Sequence, residues 1–97
     1  MKPVHLHPEA EAESDALFEW YWAQSESAAL RLDEQLREAF ANLSSSPRRY
    51  PLYLRGTRRV LLHRFPVSVV FLELRDRIQI LAIAHAKRSP GYWKSRL

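Results

Sequence analysis

The sequence predicts an α+β domain of order β-α-α-β-β-β, with a helix hairpin packed on one face of a mainly antiparallel sheet. Three observations predict it. A short alternating run, Val4–His5–Leu6, opens the chain and stops at His7–Pro8. Two stretches of helical period follow, joined by only a few residues. The last third, from Arg58 to Tyr92, holds three apolar runs separated by short breakers. Strands and helices are segregated along the chain, which is the mark of α+β rather than α/β architecture.

The 97 residues suffice for one domain, residues 1–97. A chain of this size buries only roughly 60–65% of its unfolded surface. With no cysteine, neither a disulfide framework nor a thiolate metal site is available, which fits a reducing, cytoplasmic setting. The N-terminal MKPVHLHPEAEAESD has no apolar core and turns acidic at once, so it does not read as a signal peptide. No apolar run approaches the ~18 residues of a membrane span.

Net charge is +4, but unevenly spread. Residues 1–46 carry three basic residues (Lys2, Arg31, Arg37) against nine acidic ones, a balance of −6. Residues 47–97 carry twelve basic residues against Glu73 and Asp76, a balance of +10. Either the halves pair with each other, or the basic half meets an anionic partner such as nucleic acid or an acidic protein segment.

The elements follow in order. Pro8 suits the first position of a helix, and Glu9 and Glu11 suit its positive end. That helix runs to about Gln24, with Ala10, Leu17, Trp20 and Tyr21 on the face expected to meet the core. Phe18 and Trp22, one turn apart, lie well off that face: either the loop after residue 46 or a neighbouring helix covers them, or they form a contact surface for a partner or a second copy. Ser25 or Ser27 can cap a second helix. Its apolar stripe is Ala29, Leu32, Leu36, Ala39, Phe40 and Leu43, and Ser44–Ser45–Ser46–Pro47 stops it. The short joint implies an antiparallel hairpin. Residues 47–57 read as a loop rich in Pro, Tyr and Arg.

Strands are expected at about Arg58–Arg64, Val67–Leu74 and Arg77–His85. The last two are nearly continuous apolar runs, as in central strands covered on both faces. A two-residue turn at Arg75–Asp76 pairs Leu74 with Arg77, Leu72 with Gln79 and Ser68 with Ile83. Ile78, Ile80, Ala82 and Ala84 then face the helices, and Arg77, Gln79, Leu81, Ile83 and His85 the more open side.

No phosphate loop, nucleophile elbow or zinc motif occurs, and Gly56 and Gly91 are the only glycines. His5 and His7 alternate at a strand end without a third ligand nearby, so no metal or other cofactor is expected. The run Glu9, Glu11, Glu13, Asp15 reads as a solvated helix start. More telling are cations interleaved with aromatics: Arg48, Arg49, Arg55, Arg58, Arg59, Arg64, Lys87, Arg88, Lys94 and Arg96 among Tyr50, Tyr53, Tyr92 and Trp93. Cations for phosphate and flat rings for bases are what single-stranded RNA binding needs. His85, Lys87, Arg88 and Tyr92 could also move protons and stabilise charge in phosphodiester cleavage without a metal. The plainer reading makes the rings a core rim and the arginines a solvated edge.

These residues resemble the RelE/ParE superfamily of toxins from bacterial type II toxin–antitoxin (plasmid stabilisation) modules. The resemblance spans nearly the whole chain. It rests on His7-Pro8-Glu9-Ala10-Glu11-Ala12-Glu13, Trp20-Tyr21, Pro47-Arg48-Arg49-Tyr50-Pro51, Arg64-Phe65-Pro66, Ala82-Ile83-Ala84-His85, Lys87-Arg88 and Pro90-Gly91-Tyr92-Trp93. It implies the β-α-α-β-β-β layout and a small cytoplasmic, growth-inhibiting toxin held inactive by a partly disordered cognate antitoxin. Self-association and a hetero-oligomer with the antitoxin both fit.

Two mechanisms are implied. RelE-like members are ribosome-dependent mRNA endonucleases; ParE-like members bind and inhibit DNA gyrase. Nuclease members place basic residues along the second strand and at the start of the third, where this chain has Val60, Leu62 and Ser68, and a basic residue and a tyrosine after the last strand. Only His85, Tyr92 and Lys87 or Arg88 match, with Arg64 nearby. The expectation is therefore a ParE-like inhibitor first, a RelE-like nuclease second, and a non-toxic RNA- or protein-binding module third. His85, Tyr92 and Arg64 are the candidate catalytic residues. Arg58, Arg59, Lys87 and Arg88 are the candidate target-binding cations, and Phe18 and Trp22 the candidate partner surface.

Overall fold

The computed structural model describes residues 1–97. Its elements are strand β1 (Val4–Leu6), helices α1 (Pro8–Gln24) and α2 (Glu26–Ser45), and strands β2 (Arg58–Leu61), β3 (Val67–Glu73) and β4 (Ile78–His85). The sheet order is β1-β4-β3-β2. β1 runs parallel to β4, and the other pairs are antiparallel. The expected α+β architecture is therefore present, with the helix hairpin on one face.

Local chemistry sets the helix boundaries. Pro8 opens α1, and the His7 ring accepts a bond from the Glu9 N–H at 3.1 Å, satisfying one of the helix's free donors. Ser25 alone joins the helices. Its hydroxyl accepts from the Ala28 N–H at 3.3 Å and so caps α2. Leu32, Leu36 and Leu43 are buried against the sheet, Ala29 and Ala39 are buried on the same helix, and Phe40 packs at the core's edge.

α1 contributes less. Ala10 is buried and Leu17 and Tyr21 pack at the core margin, but Trp20 is 58% exposed. The expectation that Trp20 faces the core is wrong. It lies about 80° around the helix from Ala10 and Leu17 lies near the centre, so Trp20 falls on the flank rather than under the hairpin.

The β3–β4 register holds a second correction. Leu72 pairs with Gln79, and the Leu74 N–H donates to the Arg77 carbonyl at 2.8 Å, both as expected. Past that point Val70 pairs with Ala82 while Phe71 pairs with Ile80, so Leu81 has no opposite number. This β-bulge exchanges the faces of everything after it. Ser68 pairs with Ala84, not Ile83. Ile78, Ile80 and Ile83 join the helix-side core with Val67, Val69 and Phe71. Ala82 and Ala84, expected beneath the helices, lie on the opposite face.

That face is not open. Leu81, Ala82, Ala84 and Val70 pack there against Trp93 from the C-terminal tail, which is 1% exposed, with Tyr53 and Tyr92 around them. Two buried alanines leave the recess that the indole fills. β2 ends at Leu61, three residues short of expectation, and the turn to β3 passes through Arg64 in a left-handed conformation (φ 70°).

A candidate binding site at the end of the sheet

β1 is three residues long and pairs only with Ile78–Ile80. After the His7 N–H donates to the Ile80 carbonyl at 2.8 Å, the chain leaves the sheet as α1. From Leu81 onward, the outer edge of β4 has no neighbouring strand, and unpaired backbone groups there need other partners. Side chains supply them. The Ile83 N–H donates to Glu13 Oε1 at 3.1 Å, and Arg96 Nη1 donates to the Leu81 carbonyl at 3.0 Å.

Glu13 and Arg96 also bond each other twice, Nη1 to Oε1 at 2.9 Å and Nη2 to Oε2 at 3.0 Å. This bidentate geometry is the strong form of the pair. Arg96 Nε reaches Glu9 at 3.2 Å. The Tyr92 hydroxyl donates to Glu13 Oε2 at 2.6 Å, and the Arg88 guanidinium lies 3.9 Å over the Tyr92 ring. The C-terminal tail is thus bound to the first helix and to the free edge of β4 together.

The ionisation of these groups follows. Burial pushes the Glu13 carboxyl up, but bonds from Arg96, Tyr92 and the Ile83 N–H outweigh it and hold the carboxyl below its ordinary value. Burial, then the bond to Glu13 and its charge, push the Tyr92 phenol well above its ordinary value. Arg96 is raised, chiefly by its bond to Glu13. At the other end of the sheet, bonds from Lys2 and Arg48 hold the Glu73 carboxyl low.

Beside this network runs a groove of about 400 Å3. Ala16, Leu17, Trp20 and Tyr21 of α1 form one wall, and Ile83 and His85 of β4, with Lys87, Arg88 and Tyr92 beyond it, form the other. The walls are apolar and the rim is cationic. His85 Nδ1 accepts from the Lys87 N–H at 3.1 Å.

The structure brings His85, Lys87, Arg88 and Tyr92 together, as the sequence led us to expect. Arg64 stands apart, in a depression beside α2 with Arg31, Gln35 and His63. Arg58 and Arg59 point to opposite faces. Arg58 donates to the Tyr50 carbonyl at 2.6 Å, whereas Arg59 lies 4.0 Å over the Tyr53 ring on the face away from the helices. Phe18 and Trp22 stack at 5.6 Å on the other flank of α1, with Trp22 43% exposed. Sequence reasoning missed Glu13, Arg96 and Trp20. Glu13 is one of several similarly spaced acids, and only the third dimension places it against β4.

Charge pairing between the halves of the chain is partial. Across them, Glu13 and Glu9 meet Arg96, Glu13 approaches Arg88, and Lys2 meets Glu73. Arg49, Arg55, Arg58, Arg59, Arg64, Arg75, Lys87 and Lys94 pair with no carboxylate. The basic half therefore keeps a positive surface suited to an anionic partner.

A small helix-hairpin-on-sheet domain with an apolar, cation-rimmed groove has the scaffold and surface of a RelE/ParE-type toxin. The sequence model described as "ParE toxin of type II toxin-antitoxin system, parDE" matches residues 4–90. The chain belongs to the ParE toxin family, and is thus a toxin of the type II toxin–antitoxin class. Among solved structures it is similar to one described as "Chromosomal ParDE TA system from P. aeruginosa", with a TM-score of 0.75 and 25% identity. That similarity covers 88% of this chain and 96% of the other. A search of curated proteins finds no match. No helix of the chain is long and apolar enough to cross a membrane.

Proposed function

We propose that this toxin slows growth by binding DNA gyrase as a stoichiometric inhibitor, in the cytoplasm, and that a cognate antitoxin neutralises it by occupying the α1–β4 groove. The observation that carries this reading is the engagement of Tyr92. Its hydroxyl is donated to Glu13, and its phenol is held in the protonated state. A group so tied is a poor proton shuttle, because general acid–base work needs a pKa near the working pH and a free path to the reacting atom. No carboxylate bonds the ring of His85, and Arg64 is remote from both. Of the candidate catalytic set, His85 and Tyr92 share the groove while Arg64 lies elsewhere, and the groove itself is an apolar surface with a cationic rim.

The test is direct. Increasing toxin is expected to stop gyrase from supercoiling relaxed DNA, with the effect saturating as toxin matches enzyme. With ribosomes and mRNA, no cleavage is expected. Ribosome-dependent cleavage that falls about 10²-fold or more in Tyr92→Phe or His85→Ala would establish the nuclease reading instead. If induced expression leaves bacterial growth unchanged, the toxic role itself is lost.

The groove makes a second expectation. An antitoxin segment suited to it carries apolar residues against Trp20 and Leu17 and acidic ones toward Lys87 and Arg88. Trp20→Ala should lower antitoxin affinity about thirtyfold or more, as for a buried aromatic anchor. Phe18→Ala with Trp22→Ala should also weaken it if the antitoxin wraps α1. Unchanged affinity in that double variant would mean that the stacked pair serves something other than antitoxin binding, such as self-association.

A further inference from the structure

On the face of the sheet away from the helices, a pocket of about 100 Å3 lies between β2, β3 and the segment after β4. Its volume holds one small oxyanion, or about three waters at ~30 Å3 each. Arg59 of β2 stands on one side and Arg88, past β4, on the other. Ser68 of β3 lies between them and Ser89 follows Arg88.

Both guanidiniums are held in place. Arg59 lies 4.0 Å over Tyr53 and Arg88 3.9 Å over Tyr92. The Arg59 N–H donates to the Pro51 carbonyl at 3.3 Å, but its guanidinium bonds no group of the chain, so the side-chain donors are free. The carboxylate nearest Arg88, Glu13, is 4.0 Å away and already bonded to Arg96 and Tyr92. No acidic residue lines the pocket. Two fixed cations, Arg59 unpaired and Arg88 only loosely met by Glu13, with two hydroxyls and no acid in the lining form an anion site.

We infer that this pocket binds a phosphate group, as inorganic phosphate or a small phosphomonoester. A tetrahedral dianion uses donors arriving from both sides and balances two arginines, whereas a carboxylate is satisfied by one guanidinium fork. Nucleobase recognition does not fit. The Tyr53 and Tyr92 rings are covered by arginine and Trp93 is buried, so no ring remains on which a base could stack.

Titration of the whole chain with inorganic phosphate, followed by backbone amide NMR at constant ionic strength set with chloride, tests this. Saturable shifts are expected at the amides of Ser68, Ala84 and Ser89. Arg59→Gln should weaken binding at least tenfold. Arg75→Gln, which removes the same charge from the β3–β4 turn, should leave it unchanged. Should Arg59→Gln fail to fold, Arg88→Gln serves in its place. Three results overturn the site: shifts that do not saturate and spread over every cationic surface, equal weakening in Arg75→Gln, or acetate binding the same amides as tightly as phosphate.

Discussion

Replacing Trp93 with alanine is expected to cost about 3–5 kcal/mol of folding stability, the range for removing a fully buried tryptophan. The indole is 1% exposed and closes the second core over Val70, Leu81, Ala82 and Ala84. Small residues beneath it cannot collapse into the space it leaves, so the cavity persists. Small domains hold only about 5–15 kcal/mol in total, so this one change should move the urea midpoint far. A loss below about 1 kcal/mol would mean that the tail does not cover the sheet in solution. Because Trp93 and Tyr53 approach at 6.1 Å beside Arg59, the variant should also loosen the arginine pocket.

Arg96→Leu is the second large effect. Arg96 and Glu13 side chains are 9% and 15% exposed, so removing the cation leaves a largely buried carboxylate short of its main partner. Breaking such a pair costs about 3 kcal/mol or more.

The pH dependence identifies the cause. The folded-state pKa of Glu13 is depressed, so in the native chain its contribution is present above the ordinary carboxyl value of 4.5 and is lost as pH falls through the folded value. Arg96→Leu removes the largest of the bonds that offset burial, so the carboxyl in the variant should titrate upward and protonate more readily. The stability gap between native chain and variant should therefore be widest at neutral pH and narrow below about pH 4.5. Glu13→Gln combined with Arg96→Leu should be less destabilised than Arg96→Leu alone, because no buried charge is stranded. A gap that is the same at acid and neutral pH would show that the pair is not held as described.

Much of the fold could be read directly from the residues. The caps at His7–Pro8 and Ser25, the α2 stripe from Ala29 to Leu43 and the continuous apolar strands are local signals, each set by neighbours a few residues away. The gathering of His85, Lys87, Arg88 and Tyr92 was legible for the same reason, since eight residues after a strand cannot travel far. Arg64 was misplaced because a turn with a left-handed residue points its side chain in a direction that spacing does not encode.

The order and type of the elements, the charge polarity and the family resemblance were all legible in the residues alone. All of these follow from pattern and composition. The tertiary structure decided the rest. A single bulge at Leu81 turned Ala82 and Ala84 away from the helices and Ile83 toward them, and alternation alone cannot show where a strand gains a residue. The early end of β1 left a bare edge, which made Glu13 and Arg96 partners across 83 positions of chain. Their pairing also engages Tyr92, whose hydroxyl donates to Glu13 across 79 positions. Contacts between distant residues depend on which surfaces the folded chain brings together, and no local pattern carries that information.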